Sequence, residues 1–151
     1  MRYEIRPMTF DDIDSVIKGE EEIFGESLGY DMLYTELKMN PYANYFVLEI
    51  KKLFKKEVVG YIGTWIEGDH GEIVNFFVSK EYQGMGFGKM MLDFYLELAK
   101  LSKVKNVSLE VRESNERAIN LYTSFGFKFS HKRERYYKDQ ENALVLIKNM
   151  E

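Results

Sequence analysis

Three glycines alternate in the stretch SKEYQGMGFGKMML, at Gly84, Gly86 and Gly88, with Gln83 before them and Lys89 after them. Glycine allows the backbone to approach a ligand closely and to turn its N–H groups toward it. A helix is predicted directly after this loop, so the unpaired N–H groups and the dipole of its first turn add to the site. The loop therefore predicts a binding site for an anionic group such as a pyrophosphate.

Two other phosphate-binding loops fit this stretch less well. A P-loop has G-x-x-x-x-G-K followed by Ser or Thr, but Gln83 stands at the first glycine position and Met90 follows Lys89. A dinucleotide-binding loop has G-x-G-x-x-G directly after its strand, whereas the glycines here follow G-x-G-x-G and five residues separate Val78 from Gly84. A loop that is merely flexible is the remaining alternative.

Two side chains further along are candidates for proton transfer. The segment NVSLEVR alternates apolar and polar residues, which places Glu110 on the polar face of a strand with Ser108 and Arg112. A partly desolvated carboxylate there would be a general base, although a solvated strand face is the plain alternative. Tyr122 lies on the following helix and could give a proton, or it could pack in the core. Asn115 stands at the start of that helix, where it could simply be the N-cap.

Hydrophobic periodicity predicts the elements that position these candidates. Apolar residues recur every three or four positions from Gly88 to about Ser102, and again over a helix that carries Ala118 and ends at Gly126. Strands rich in aromatic and β-branched residues are predicted at YEIRP, NYFVLEI, EVVGYIGTWI, EIVNFFV and NVSLEVR, with a closing hairpin at FKFSHKRERYY and ENALVLI. This order predicts an α/β fold of mostly antiparallel strands with one β-α-β crossover.

Two more helices are predicted near the N-terminus. Thr9 is a suitable N-cap for FDDIDSVIKGEEEIF, in which GEEEIF is expected to face solvent, and YDMLYTELKM ends before Pro41. A turn is predicted at Asp69-His70-Gly71, which would place His70 in a turn.

The composition is that of an acidic globular chain. Its 151 residues carry 21 basic and 25 acidic side chains, a formal net charge of −4, which argues against nucleic acid as a direct partner. The absence of cysteine excludes disulfides and thiolate catalysis, and two distant histidines give no metal-ligand spacing. No apolar run reaches the roughly 20 residues that span a bilayer, and the start lacks the apolar core of a secretory signal. We expect a cytoplasmic protein without metal or membrane partner, folded as a single domain over residues 1–151.

The segment VNFFVSKEYQGMGFGKMML resembles the cofactor motif of the GNAT acetyltransferases. Their motif is a strand ending in Val, a short loop, and then Gln or Arg followed by x-x-Gly-x-Gly or Ala, which falls here on Gln83, Gly86 and Gly88. The resemblance implies a GNAT fold, with a mixed, mostly antiparallel sheet flanked by helices and a parallel cofactor strand that splays from its neighbour. It implies acetyl-CoA as co-substrate, held by Phe76, Phe77, Val78, Gln83, Gly84, Met85, Gly86, Phe87, Gly88 and Lys89.

The stretch SLEVRESNERAINLYTSFGFK resembles the L-E-V-R-x-S-N-x-x-A-x-x-L-Y-x-x-x-G-F motif of protein N-terminal acetyltransferases, notably the ribosomal-protein-alanine type. That resemblance implies Glu110 as general base, Tyr122 as general acid and also a cofactor contact, and Asn115 as a hydrogen-bond partner of the pantetheine. RYYKDQENALVL resembles their acceptor-binding segment, which implies that Tyr136 and Tyr137 contact the acceptor backbone. Because adjacent strand residues face opposite ways, we expect only one of these tyrosines to reach the acceptor groove and the other to pack.

The sequence departs from that subfamily at the acceptor side. Its Pro-Trp-Ser element is missing from FGESLGYDML, and Asn142 replaces an Asp. We therefore expect direct attack by a protein N-terminal amine in a ternary complex, with a ribosomal protein as one candidate acceptor and a monomer or homodimer as the working form. Acetylation of a polyamine, an amino-sugar or a lysine side chain is the alternative, and a CoA-binding domain without turnover is a third.

Overall fold

Seven strands form one sheet in the computed structural model, which describes residues 2–151. The order across the sheet is β1-β2-β3-β4-β5-β7-β6, and every neighbouring pair is antiparallel except β4–β5. The strands are β1 Arg2–Pro7, β2 Ala43–Lys52, β3 Lys55–Glu67, β4 His70–Val78, β5 Asn106–Arg112, β6 Lys128–Arg133 and β7 Ala143–Asn149. The predicted mixed, mostly antiparallel sheet is confirmed.

Four helices flank the sheet within this part of the chain: α1 Ile13–Phe24, α2 Tyr30–Met39, α3 Phe87–Leu101 and α4 Glu116–Ser124. Strand β2 shows how they pack, because Tyr45 and Val47 join a cluster with α1 and α2, whereas Leu48 and Ile50 join a cluster with α3. Alternate residues of a strand face opposite sides, so the two clusters cover the two faces of the sheet. None of the helices in residues 2–151 is both long and apolar enough to span a membrane.

The parallel pair β4–β5 opens partway along its length. Its paired residues run from His70 opposite Asn106 to Ile73 opposite Leu109, although both strands continue beyond that point. On the other side of β4, Gly63 pairs with Asn75 and the next ladder position joins Thr64 to Ile73, so Val74 forms a β-bulge. A bulge bends its strand, and here the bend begins where β4 leaves β5. The expected splay is confirmed.

Three local expectations are wrong. His70 is the first residue of β4, where its ring bonds Asn106 and also lies 3.1 Å from the hydroxyl of Ser108, because the turn before it is shorter than predicted. Within GEEEIF, Glu20 is fully buried because three polar groups surround its carboxylate. Strand β6 ends at Arg133, so Tyr136 and Tyr137 lie in the following loop and not in a strand.

Candidate active site

The glycine loop leads from the splayed strand β4 into the first turn of α3. Gly84 and Gly86 have φ values of 79° and 86°, in the left-handed region that only glycine adopts without strain. Gly86 is the N-cap of α3, and its carbonyl accepts the N–H of Met90 at 3.1 Å. The earlier N–H groups of this turn have no helical partner and can donate to an anion.

Gln83 fixes this loop to the two elements beside it. Its side-chain amide donates to the carbonyl of Val78 at 2.8 Å and accepts from Arg117 on α4 at 2.8 Å. The residue therefore sets the shape of the loop, and its side-chain groups are already engaged. It also brings the Arg117 guanidinium to the loop, a cation that the sequence had not singled out.

The loop forms one wall of a groove of about 570 Å³ between β4 and α4, which we call the loop groove. Ten of the twelve residues expected to contact the cofactor line it: Phe76, Phe77, Val78, Gln83, Gly84, Gly86, Gly88, Lys89, Asn115 and Tyr122. The other two do not, because Met85 is exposed and the side chain of Phe87 is buried against Tyr3 and Tyr82. For these two residues only the backbone remains as a possible contact.

Asn115 is the N-cap of α4, which is one of the two roles predicted for it; the other is a hydrogen bond to the pantetheine. Its side-chain oxygen accepts the N–H of Ala118 at 3.1 Å. The cap uses the oxygen of the amide, so its nitrogen remains as a donor for a ligand carbonyl. Because Asn115 lines the loop groove, capping the helix and binding a ligand are compatible.

A second cavity of about 450 Å³ adjoins the loop groove, and we call it the carboxylate cavity. Glu26, Glu72 and Glu110 line it, together with Tyr136 and Tyr137 from the loop after β6. Both tyrosines reach the cavity, so the expectation that only one would do so is wrong. Alternation applies only to strands, and these residues lie in a loop. The two cavities share the lining residues Phe24, Phe76, Asn115, Ala118 and Tyr122.

Glu110 faces the carboxylate cavity from β5, with about a quarter of its side chain exposed. The guanidinium of Arg133 lies 3.4 Å from its Oε1 oxygen. The same carboxylate raises the pKa of Tyr136, chiefly as a hydrogen-bond partner of its hydroxyl. Arg133 therefore pairs with the Glu110 carboxylate at the wall of the carboxylate cavity.

Tyr122 stands at the junction of the two cavities. It is 6 % exposed, and its ring packs edge-on against Phe127 at a centroid distance of 5.6 Å. Burial raises the pKa of its hydroxyl, and the nearby Tyr137 adds to the effect. The hydroxyl is therefore protonated at neutral pH, as an ordinary tyrosine is, and it is a weaker acid than a tyrosine in water.

Arg112 anchors the loop between β6 and β7, residues 134–142, to the end of β5; we call this segment the tyrosine loop. Its guanidinium lies 2.9 Å from both Asp139 and Glu141, and 4.0 Å from the centre of the Tyr137 ring. Burial raises the pKa of Tyr137 to about 12 although the arginine opposes this shift. Asn142 closes the loop by donating to Glu113 at 2.9 Å, a bond that an aspartate could not donate.

Glu72 is a site residue that the sequence analysis missed. It lies on β4 in the carboxylate cavity, opposite Ser108 of β5. Burial raises its pKa, and the charge of Glu110 raises it further. The signal was present in the alternation of His70 and Glu72, but the apolar character of the rest of the strand concealed it.

Glu20 was also missed, and it supports the wall of the carboxylate cavity. Its buried carboxylate accepts the hydroxyl of Ser27 at 2.8 Å, the N–H of Leu28 at 3.3 Å and the side-chain amide of Asn75. Burial raises its pKa. Ser27, Leu28 and Asn75 all line the cavity, so this one carboxylate joins the loop after α1 to the splayed strand.

The splayed parallel pair, the glycine loop at a helix N-terminus and the two adjoining cavities define a transferase site. Residues 11–127 match the Acetyltransferase (GNAT) family, and the chain belongs to this family and is an acyltransferase.

Several known proteins are similar to this chain. A Bacillus subtilis protein with the provisional name ribosomal protein bS18-alanine N-acetyltransferase is 37% identical over 94% of this chain and 92% of its own length. An N-alpha-acetyltransferase of Sulfurisphaera tokodaii is 32% identical over 95% and 91%. A spermine/spermidine N(1)-acetyltransferase of Bacillus subtilis is 46% identical, but over only 36% of this chain and 37% of its own. The crystal structure of the Escherichia coli ribosomal-protein-S18-alanine N-acetyltransferase has a TM-score of 0.87 at 22% identity, covering 99% of this chain and 94% of that one.

Proposed function

We propose that this protein transfers an acetyl group from acetyl-CoA to the N-terminal amine of a protein or peptide. The observation that carries the proposal is the position of Tyr122, which lines both cavities where they meet, with Glu110 facing the second cavity. Relatives that align over nearly the whole chain are named as N-terminal acetyltransferases, which supports the same acceptor class.

Acetyl-CoA fits the loop groove by chemistry. The N–H groups at the start of α3 and the cations of Lys89 and Arg117 suit a pyrophosphate. Beyond Ile73 the backbone of β4 has no partner on β5, so its edge can hydrogen-bond an extended amide chain such as pantetheine. The Asn115 amide nitrogen is a further donor to that chain.

Glu110 is the general base in this proposal. The incoming ammonium replaces Arg133 beside the carboxylate, and Glu110 then accepts the proton that the amine loses, directly or through a water. The amine nitrogen forms its bond to the thioester carbonyl carbon in the ternary complex. The chain has no cysteine that could carry the acetyl group as an acyl-enzyme. We therefore favour direct attack of the amine on acetyl-CoA.

Tyr122 is the general acid. As the carbon–sulfur bond breaks, its hydroxyl gives a proton to the departing thiolate. Burial raises the pKa of this hydroxyl, which makes it a weaker acid than in water, so the proton moves only as the sulfur gains its negative charge. The ammonium loses two protons in one transfer: Glu110 accepts the first and releases it to solvent, and the second, lost as the amide forms, restores the hydroxyl of Tyr122.

Tyr136 and Tyr137 would hold the acceptor by its backbone, since phenolic hydroxyls can both donate to and accept from amide groups. Such contacts do not depend on side chains, so they suit a chain end. Glu26, Ser27 and Leu28 line the region where the first acceptor side chain would lie, in place of the missing Pro-Trp-Ser element. A ribosomal protein is the candidate partner, by similarity to the relatives.

A polyamine is the second candidate acceptor. Glu26, Glu72 and Glu110 bring three carboxylates to one cavity, and Arg112 is shared between Glu26 and two further acidic partners, Asp139 and Glu141. A surplus of negative charge attracts a substrate with several ammonium groups. The partial match to a spermine/spermidine acetyltransferase points to the same class.

Variants of the tyrosine loop test the acceptor assignment. Tyr136→Phe and Tyr137→Phe should raise the KM for a peptide acceptor by about tenfold, the worth of one lost hydrogen bond, and leave the KM for acetyl-CoA unchanged. Tyr30→Phe, an exposed tyrosine of α2, is the matched control. If both loop variants keep the wild-type peptide KM, the backbone clamp is wrong. If they alter only spermine turnover, the polyamine acceptor replaces the peptide.

A further inference from the structure

The turn between β2 and β3 carries the two most exposed large apolar side chains of residues 2–151. Leu53 is 88 % exposed and Phe54 is 94 % exposed. Lys52 pairs with Lys55 at the end of the ladder, so the two apolar residues form the entire tip of the hairpin. We call residues 51–56 the hairpin tip.

The requirements of the turn do not explain these residues. Two-residue hairpin turns favour Asn-Gly, Asp-Gly or Gly-x because of their backbone conformation, and Leu-Phe meets no such need. Neither side chain gains from burial, since both remain in water. A lone apolar side chain in solvent is common, but two adjacent large ones at a convex tip form a candidate contact surface.

The lysines that flank the turn are also not explained by the stability of the hairpin. Lys51 lies directly opposite Lys56, and Lys52 lies directly opposite Lys55. Like charges in directly opposed strand positions destabilise a hairpin. Consecutive pairs face opposite sides of the ladder, so a pair of lysines lies on each face of the tip, and Lys51 is 3.9 Å from the carboxylate of Glu4 on the neighbouring strand. This local concentration of positive charge belongs to a chain whose net charge is −4.

We propose that the hairpin tip docks the protein on an anionic lipid surface. Leu53 and Phe54 enter the boundary between headgroups and acyl chains, and the four lysines meet the lipid phosphates. Both unfavourable features of the free hairpin are relieved in that position. The chain outside the tip is acidic and is repelled by the same surface, so the contact has one orientation.

The apolar pair favours lipid over the other anionic partners. RNA-binding surfaces use aromatic rings to stack on bases, and of this pair only Phe54 has a ring, whereas both side chains suit acyl chains. A protein partner would need a concave apolar pocket with an acidic rim, whereas a bilayer accepts a convex tip directly. The inference does not depend on the proposed acceptor, and it revises the expectation that this protein has no membrane partner.

Docking in this way leaves the transferase site open. The hairpin tip contributes no residue to the lining of the loop groove or the carboxylate cavity. Lys52 reaches toward the ring of Tyr82, at 5.8 Å, on the short turn that precedes the glycine loop. The tip therefore lies at the end of the sheet where the glycine loop begins, on strands beyond the cofactor strand.

Vesicle co-sedimentation tests the proposal with the full-length protein. Vesicles of phosphatidylcholine alone are compared with vesicles that contain equal parts phosphatidylcholine and phosphatidylglycerol. Wild type should bind the anionic vesicles, lose binding as salt rises, and ignore the neutral ones. The double variant Leu53→Ser/Phe54→Ser should bind at least about tenfold more weakly, as should Lys51→Gln/Lys55→Gln. Leu101→Ser is the matched control, since Leu101 is 81 % exposed at the end of α3.

A second measurement detects insertion of the hairpin tip into the bilayer as a positive signal and not as a loss of binding. The indole introduced by Phe54→Trp should be quenched by brominated acyl chains in anionic vesicles but not in neutral ones. Unchanged melting temperatures would show that the variants fold. Failure of wild type to bind anionic vesicles, or equal binding by the Leu53→Ser/Phe54→Ser variant, would overturn the proposal. Binding to RNA that is lost in that variant, without vesicle binding, would assign the tip to nucleic acid instead.

Discussion

Glu110 and Arg133 form an ion pair, and in the proposed mechanism the acceptor amine takes the place of Arg133 before Glu110 accepts its proton. Glu110→Gln removes the base and should lower kcat by about 10²-fold or more. The loss should shrink as pH rises, because free amine then exists without help from the protein. Steady-state rates across pH measure this, with Glu97→Gln, an exposed glutamate of α3, as the control. A variant with the wild-type rate and pH profile would show that Glu110 is structural.

Tyr122 should matter for the chemical step and not for binding. Tyr122→Phe keeps the buried ring and its contact with Phe127 but removes the proton. We expect kcat to fall by about 10-fold to 10²-fold, with the affinity for acetyl-CoA nearly unchanged. Turnover and equilibrium binding, measured on the same preparation, separate the two effects. Equal losses in both would place Tyr122 in the fold or in cofactor binding instead.

Glu72 predicts how stability depends on pH. Its pKa is raised in the folded protein above the ordinary value of 4.5, so folding favours its protonated form. The stability that this contributes is present at pH below 4.5 and is lost as pH rises through the raised value. Glu72→Gln should therefore have a higher melting temperature than wild type at pH 7, and the difference should disappear near pH 4. A difference that stays constant over this range would contradict the raised pKa.

The residues named from the sequence were those with a motif around them. Glu110, Tyr122 and Asn115 fall within one recognisable stretch, and all three line the cavities. Glu20, Glu72 and Arg133 come from three separate elements and have no local pattern. Only the folded sheet brings such residues together, so sequence periodicity could not identify them.

Among the elements, the glycine loop and the first turn of α3 give the sharpest prediction. Gly86→Glu adds a side chain and a negative charge at the N-terminus of the helix, where an anion is expected. Acetyl-CoA should raise the melting temperature of wild type and leave this variant unchanged. Gly68→Glu is the control, because Gly68 also has a positive φ, of 60°, and open space around it. If acetyl-CoA does not shift wild type even at millimolar concentration, the cofactor assignment fails.

The contact between α1 and β4 depends on the buried carboxylate of Glu20. Glu20→Ala leaves the donors of Ser27, Leu28 and Asn75 without their acceptor and opens a cavity. Unfolding by urea should show a loss of about 2–4 kcal/mol. Glu21→Ala, at the exposed neighbouring position, should change stability by less than about 0.5 kcal/mol. Equal effects in the two variants would mean that the three hydrogen bonds contribute no net stability.

The order of elements was predictable because each has a distinct period. The β-α-β crossover, the alternating strand β5 and the closing hairpin all occur where the apolar pattern placed them. The segment of Tyr136 and Tyr137 was predicted as part of strand β6, because aromatic residues favour strands, but it is a loop. Arg112, Asp139 and Glu141 fold that segment back over the cavity, and such ion pairs leave no periodic signal.

At the scale of the whole molecule, the site exists because the sheet is incomplete at its centre. Strands β4 and β5 separate after Ile73 and Leu109, and the loop groove and the carboxylate cavity both open along β4 beyond that point. One cavity has N–H donors and cations, and the other has carboxylates and tyrosines. A donor thioester and a cationic amine can therefore approach Tyr122 from different sides.

Mass spectrometry of the products of three separate reactions tests N-terminal transfer most directly. The first reaction contains a peptide with a free N-terminus and no lysine, the second contains a peptide with a blocked N-terminus and one lysine, and the third contains spermine. With acetyl-CoA in excess, we predict a single added acetyl group on the first peptide, at its first residue, and none on the second or on spermine. Equal acetylation of the blocked, lysine-containing peptide, or transfer to spermine alone, would contradict N-terminal acetyl transfer.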